Sequence, residues 1–185
     1  ILFRRIPDKE VAEFLDSIKE VKKVAVDTET WYNPQVKGVT RFIKDPRKKL
    51  HPNNAPFIIS MSTAGNNGVV IEVNATTLPP LREFFAGVRE WIMFNANYDM
   101  HMLYNVGIQP RGKIVDVMVL HQLVDEEDNV WGLDDIAKKY RNSDADTYAN
   151  AVLEVRKQLA KVNDCSYHDI DYYQVYKARP DVMIP

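Results

Sequence analysis

The sequence has few of the residues that form covalent cross-links or zinc sites. Cys165 is its single cysteine, so no disulfide can form within these 185 residues, which fits a reducing compartment. None of the four histidines has zinc-finger or H-E-x-x-H spacing, so we expect no zinc site. No apolar run approaches the roughly 20 residues that cross a bilayer, and the first residues lack a signal-peptide pattern. We therefore expect a cytoplasmic domain without a membrane span.

Positive charge is concentrated in one part of the chain. The net charge is −2, but residues 31–56 contain six basic residues and one acidic residue, so this segment is +5 and the remainder is −7. A basic segment on an acidic body favours a partner that carries phosphates, although the same charges are typical of a solvated loop. The basic residues are Lys37, Arg41, Lys44, Arg47, Lys48 and Lys49.

Hydrophobic periodicity predicts a single α/β domain. Residues 31–56 are rich in proline and asparagine and predict a long basic insertion loop, and residues 65–67 predict a hairpin turn. The order of elements favours a mixed sheet with a leading antiparallel part and surrounding helices. The predicted helices cover 8–21, 81–88, 98–107, 117–125, 132–140 and 148–162, and the predicted strands cover 24–26, 56–64, 68–74, 89–95 and 113–116.

Two acidic residues follow the predicted strand 24–26. Asp27 and Glu29 are two positions apart, so in an extended chain their side chains point the same way. Two like charges this close resist burial unless a cation compensates them. Ligands that are all oxygen select hard ions such as Mg²⁺ or Mn²⁺. The pair alone is also typical of an exposed strand end, so both interpretations stay open at this point.

A second polar cluster follows the predicted strand 89–95. Asn95 ends that strand, and Tyr98 and Asp99 begin the next predicted helix. Strand ends of open α/β sheets form the crevices in which ligands bind. Turn chemistry explains Asn95 equally well by itself, and the helix dipole explains Asp99. Beside Asp27 and Glu29, however, the cluster favours a shared site.

The motifs DTET, FNANYD, IVDVMVLHQLVD and GLDDIAKKY occur in this order from about Val24 to Tyr140. Together they resemble the DnaQ-like 3′–5′ exonucleases of the DEDD type, and most of all the proofreading domains of phage-type family A DNA polymerases. The resemblance implies a ribonuclease H-like α/β fold with an antiparallel leading hairpin. It also implies hydrolysis with two Mg²⁺ or Mn²⁺ ions. On the matching positions it implies catalytic metal ligands at Asp27, Glu29 and Asp99, substrate-binding residues at Thr28, Asn95 and Tyr98, and a supporting residue at Asp116.

The third motif of this family is an aspartate preceded by a histidine or a tyrosine. No histidine here has an aspartate five residues on, which favours the tyrosine form of the motif, Y-x-x-x-D. Tyr140/Asp144 fits the pattern but comes too early for the family order. Tyr167/Asp171 is better placed. The ending RPDVMIP resembles the stretch before the tyrosine in phage polymerases, so we expect the third motif beyond Pro185, with Tyr167 and Asp171 as the alternative.

The resemblance also implies a biological setting. It implies that residues 1–185 are one exonuclease domain from a longer polymerase, which acts on a single-stranded 3′ end of DNA. The setting would be the host cytoplasm if a phage encodes it, with an organelle or the nucleus left open. A free-standing RNase D-like exoribonuclease and a catalytically incomplete nucleic-acid-binding or scaffolding domain are the alternatives. The expected DNA rim consists of Arg41, Lys44, Arg47, Lys48 and Lys49.

Overall fold

The computed structural model describes residues 2–31, 54–64, 67–127, 131–141 and 146–183. The strands in these ranges are β1 (Leu2–Arg5), β2 (Lys23–Trp31), β3 (Ala55–Ala64), β4 (Asn67–Glu72), β5 (Glu90–Met93) and β6 (Lys113–Asp116). The α-helices are α1 (Val11–Ser17), α2 (Leu78–Gly87), α3 (Ala96–Asn105), α4 (Val117–Val124), α5 (Leu133–Arg141), α6 (Asp146–Val162), α7 (Tyr172–Ala178) and α8 (Pro180–Met183). Short 3₁₀ turns occupy Asp8–Glu10 and Tyr167–Asp169.

The described strands form one mixed sheet in the order β1-β4-β3-β2-β5-β6. β3 runs antiparallel to both β2 and β4, whereas β5 runs parallel to β2 and β6. β2 therefore lies inside the sheet, between the antiparallel part and the parallel part. This arrangement confirms the predicted α/β, ribonuclease H-like fold with its leading hairpin.

Two clusters of apolar side chains hold the helices onto the sheet. In the larger cluster, the ring of Trp91 stacks on Phe85 at 5.1 Å between centroids. The Trp91 indole donates a hydrogen bond of 3.0 Å to the carbonyl of Arg111, so the buried ring leaves no unpaired donor. In the smaller cluster, residues of α6 and α7 cover Phe57 and other residues of β3 and β4. Burying each such ring contributes about 1.5–3 kcal/mol.

The strand that carries Asp27 and Glu29 is longer than the predicted 24–26. β2 continues to Trp31 because its ladder with β3 continues, with Asp27 opposite Ser60 and Glu29 opposite Ile58. The two carboxylates therefore lie inside a strand, not after it. A bulge interrupts the ladder directly after Glu29.

Other boundaries also differ from the predictions. The helix predicted over 8–21 is a 3₁₀ turn followed by α1, which ends at Ser17, where the hydroxyl donates to the carbonyl of Phe14. β1 was not predicted, and it pairs in parallel with β4 at the edge of the sheet. The two ends of the loop predicted over 31–56 belong to β2 and β3, and residues 32–53 lie outside the described residues.

Gly112 sets the close approach between β5 and the segment that leads into β6. Its φ is +94°, and a Cβ there would meet the carbonyl oxygen of Arg89 at 2.3 Å. The next amide, that of Lys113, donates to the same carbonyl at 2.8 Å. Only glycine fits this backbone without strain.

We predict that Gly112→Ala lowers the free energy of unfolding by about 2 kcal/mol or more, because it adds a clash to an unfavourable φ. Gly87→Ala is the matched control, since a Cβ at Gly87 would meet only the end of the Lys22 side chain, at 3.9 Å. Urea unfolding of both variants measures the difference. Equal stabilities would contradict the role assigned to Gly112.

Candidate active site

Three carboxylates lie near one another, with interacting charges, where the middle of the sheet adjoins the start of α3. Asp27 and Glu29 lie on β2, and Asp99 lies in the first turn of α3. Asp99 is buried, with 3% of its surface exposed, whereas Glu29 is half-buried and Asp27 retains contact with solvent. The structure thus brings together the three residues that the sequence predicts as catalytic.

Thr28 joins β2 to α3 through the carboxylate of Asp99. Its backbone amide donates to Oδ1 of Asp99 at 3.0 Å, and its hydroxyl donates to the same oxygen at 2.6 Å. Both bonds are buried, and they fix the orientation of the Asp99 carboxylate. The hydroxyl of Thr28 is directed at Asp99, and substrate binding by Thr28 stays a prediction.

Burial makes these carboxylates hold protons more tightly than usual, with pKa values above their ordinary ones. Burial raises the pKa of Glu29 to about 8, and the charges of Asp27 and Asp99 add to the effect. Burial also raises the pKa of Asp99 to about 7 against the opposing bonds from Thr28, and burial raises the pKa of Asp27. The cluster needs positive charge to be fully ionised at neutral pH.

Asp116 holds the backbone that presents Asp99. Its Oδ1 accepts from the amides of Asn95 (3.1 Å) and Met118 (3.0 Å), and its Oδ2 accepts from Ala96 at 2.8 Å. One side chain therefore satisfies amides at the start of both α3 and α4. This is the supporting role expected for Asp116.

Asn95 and Tyr98, both predicted to bind substrate, lie around the start of α3. Asn95 is the N-cap of α3 with a left-handed backbone (φ +56°), so β5 ends at Met93 and the helix begins two residues earlier than predicted. The hydroxyl of Tyr98 lies 2.5 Å from that of Thr30 on β2. Both residues thus lie on the elements that carry the carboxylates.

A small crevice opens beside Asp27. Its volume is about 210 Å³, and apolar side chains from β5, the turn after it, α4 and α5 line it with Asp27. Met93, Phe94, Val117 and Leu133 are among them. Asp27 therefore borders both the acidic cluster and an apolar wall.

Tyr148 contacts the cluster, although no sequence pattern pointed to it. Its side chain comes from the first turn of α6, its hydroxyl donates to Sδ of Met183 at 3.5 Å, and its phenol lies close enough to the Glu29 carboxylate to interact with it electrostatically. Burial of the hydroxyl end and the charge of Glu29 raise the pKa of Tyr148, so the phenol stays protonated. No motif marks this tyrosine, because the residue four positions on is Val152.

The two candidate third motifs within the chain have other contacts. The hydroxyl of Tyr140 lies 3.3 Å from Nδ1 of His121, and Asp144 lies outside the described residues. Asp171 is the N-cap of α7, where its carboxylate accepts from the amide of Gln174 at 2.7 Å. The carbonyl of Tyr167 accepts from the guanidinium of Arg156 at 2.7 Å. The predicted rim, Arg41, Lys44, Arg47, Lys48 and Lys49, lies outside the described residues.

The donor chemistry of the cluster suits a hard cation. The cluster offers carboxylate oxygens as ligands for a cation. Besides burial, the groups that shift the pKa of Glu29 are two further carboxylates and a neutral phenol. In the described ranges, no three acidic, histidine or cysteine side chains converge closely enough to hold one ion. The three carboxylates thus form an acidic cluster with a need for positive charge, and not a closed coordination cage.

Comparison with known proteins shows the family of the chain. A sequence profile described as 3′–5′ exonuclease matches residues 7–164. No curated protein sequence matches. In the part of the chain that the structure describes, no helix is long and apolar enough to cross a membrane.

Several solved structures share the fold. Brucella melitensis NrnC is 18% identical with a TM-score of 0.51, over 77% of this chain and 61% of that chain, so this sequence spans about three fifths of its length. Pol1 from M. smegmatis is 18% identical with a TM-score of 0.56, over 76% of this chain and 23% of that chain. Trypanosoma brucei RNase D is 14% identical with a TM-score of 0.59, over 98% of this chain and 54% of that chain. At these identities the likeness shows the fold alone.

We predict that the stability of the protein in chelator falls as the pH rises from about 5 to about 9. In the folded state Glu29 keeps its proton up to a pKa of about 8, whereas its ordinary pKa is 4.5. The stabilisation from this proton is therefore complete below the ordinary pKa, and it is lost as the pH rises through the raised pKa. A pKa that differs by one between the folded and unfolded states corresponds to about 1.4 kcal/mol, so a fall of several degrees in Tm is expected. Glu29→Gln should weaken the dependence of Tm on pH. A wild-type protein whose Tm depends on pH as weakly as that of the variant would contradict the raised pKa of Glu29.

Proposed function

The chain belongs to the 3′–5′ exonuclease family, and from that premise we propose that it removes nucleotides from the 3′ end of DNA. Asp27, Glu29 and Asp99 would hold two divalent cations for this hydrolysis. The observation that carries the proposal is the cluster itself. Burial raises the pKa of all three carboxylates, the charges of Asp27 and Asp99 raise that of Glu29 further, and the charge of Asp27 raises that of Asp99.

The proposed cations are Mg²⁺ or Mn²⁺. When bound, such ions activate water and stabilise the charge that develops on the leaving 3′ oxygen. The chain's own contribution is to orient the ligands. Thr28 holds one oxygen of Asp99, and Asp116 holds the backbone from which Asp99 extends. The crevice beside Asp27 borders the site with apolar side chains such as Met93 and Phe94, together with Ser60 and Ser62.

We also propose that the third-motif aspartate follows Pro185. The capping bond of Asp171 gives that residue a structural role, which weakens the alternative within the chain. The position of Met183 supports the proposal, because its Sδ lies 3.5 Å from the hydroxyl of Tyr148, which interacts electrostatically with Glu29. Residues that continue from α8 would begin their path close to the acidic cluster.

DNA is the proposed substrate, and a proofreading domain of a cytoplasmic DNA polymerase is the proposed context. The motif order and the basic residues 37–49 support this choice. An RNase D-like exoribonuclease is the second candidate, because T. brucei RNase D shares the fold over 98% of this chain. A domain that binds nucleic acid without cleaving it is the third. The three differ in substrate and product, so one assay separates them.

We predict that the full-length protein shortens 3′-labelled single-stranded DNA with Mg²⁺ or Mn²⁺, and does so faster than the matching RNA. Asp27→Ala should lower the rate at least roughly 1,000-fold, because it removes a cation ligand. Asp16→Ala is the matched control, since Asp16 is exposed and pairs only with Lys19. Cleavage products separated on a denaturing gel give the rates.

Faster loss of nucleotides from RNA would favour the exoribonuclease. Binding of DNA without cleavage, in the presence of metal, would favour the non-cleaving domain. Unchanged cleavage by Asp27→Ala would show that the assigned cluster is not the active site.

A further inference from the structure

Basic side chains line the edge of the sheet at which β2, β5 and β6 begin. The parallel pairing aligns the starts of these strands, with Lys23 opposite Glu90 and Glu90 opposite Lys113. The residues just before β2 and β5 are also joined, because the amide of Arg89 donates to the carbonyl of Lys22 at 2.8 Å. We call five exposed residues at this place the basic edge: Lys22, Lys23, Arg89, Arg111 and Lys113. Five cations and the one carboxylate of Glu90 give a net charge of +4.

Three cations of the basic edge have no carboxylate partner among the described residues. Lys22 and Arg89 donate to backbone carbonyls, and Arg111 donates to a side-chain amide oxygen. Each arginine uses one terminal nitrogen in these bonds. A guanidinium has five donors, so both arginines keep donors for a further acceptor. The other two members of the basic edge share a single carboxylate, that of Glu90.

The opposite ends of the same strands are acidic. β2 begins at Lys23 and carries Asp27 and Glu29 further along, and β6 begins at Lys113 and ends at Asp116. The acidic end repels a phosphate unless cations neutralise the carboxylates, whereas the basic edge attracts a phosphate directly. The two ends of the sheet therefore suit different phosphates of one nucleic acid strand.

The basic edge lies within reach of a strand whose 3′ end is at the acidic cluster. Lys23 precedes Asp27 by four residues in β2, so both side chains lie on the same face of the sheet. Four residues of a strand span about 13 Å. One strand of a stacked nucleic acid carries a phosphate about every 3.4 Å, so this distance corresponds to roughly four nucleotides. Ala25 and Ile92, which line the crevice beside Asp27, lie between the two ends.

We propose that the basic edge is a second contact for the substrate, which binds phosphates of a DNA strand roughly four or more nucleotides from its 3′ end. The inference rests on the proposed function and adds a binding surface outside the acidic cluster. A dinucleotide would occupy the acidic cluster alone, whereas a strand of about a dozen nucleotides would occupy both places. Lysine and arginine side chains that bind phosphates release counterions, so the contact weakens as the salt concentration rises.

The test compares two triple variants of the full-length protein that lose the same charge. The first variant removes the three cations of the basic edge that have no carboxylate partner, by Lys22→Gln, Arg89→Gln and Arg111→Gln. The second removes three exposed lysines from the first 3₁₀ turn and α6, by Lys9→Gln, Lys157→Gln and Lys161→Gln. Fluorescence anisotropy in chelator gives Kd for a labelled single strand of about a dozen nucleotides at several salt concentrations. Cleavage with Mg²⁺ gives kcat and KM for this strand and for a dinucleotide.

We predict that the first variant raises KM for the longer strand roughly tenfold, because it loses phosphate contacts. The slope of log Kd against log salt concentration should fall by about 2, since each of three contacts contributes about 0.7 on a single strand. Its kcat, and its kinetics on the dinucleotide, should stay as in the wild type, because the acidic cluster is unchanged. The second variant should match the wild type in every measurement.

Two results would overturn the role of the basic edge alone. One is an equal KM and an equal salt dependence in the two variants. The other is a loss of activity on the dinucleotide as large as the loss on the longer strand. A wild-type protein that neither binds nor cleaves DNA would contradict the proposed function, and this inference with it.

Discussion

The burial of three neighbouring carboxylates, those of Asp27, Glu29 and Asp99, is the constraint on which the rest of the structure depends. The cluster combines a buried aspartate, a half-buried glutamate and an aspartate at the solvent edge, and burial is the largest cause of each raised pKa. Such a cluster destabilises the fold unless protons or cations neutralise it. The proposed function, which uses cations at this cluster, would explain why the chain tolerates this cost.

The fold holds the cluster in place through contacts outside it. Asp27 and Glu29 pair with Ser60 and Ile58 of β3, so neither can move without disturbing that ladder, and β5 holds the start of the same strand from the other side. Asp116 satisfies the first amides of α3, and Thr28 fastens the carboxylate of Asp99 back to β2. Each of these contacts joins residues far apart in the chain, so the site forms only when the sheet and α3 are both assembled.

The sequence predicted the cluster better than its surroundings. Spacing and motif order are local signals, and they were sufficient to group Asp27, Glu29 and Asp99. The contact of Tyr148 with Glu29 depends on how α6 packs across the sheet, which no local pattern encodes. The bond from Thr28 to Asp99 could not be predicted for the same reason, because its two partners are 71 residues apart. β1 escaped prediction because Arg4 and Arg5 are typical of a charged edge strand more than of a core strand.

The central claim is that a cation takes the place of protons in this cluster, and proton release measures that exchange directly. Calorimetric binding of Mn²⁺ near pH 7, repeated in buffers with different heats of ionisation, gives the number of protons released at the site. Because Glu29 has a pKa of about 8 and Asp99 of about 7, we expect release of roughly one proton or more, reduced in Glu29→Gln. Binding of Mn²⁺ at this site without proton release would contradict the claim.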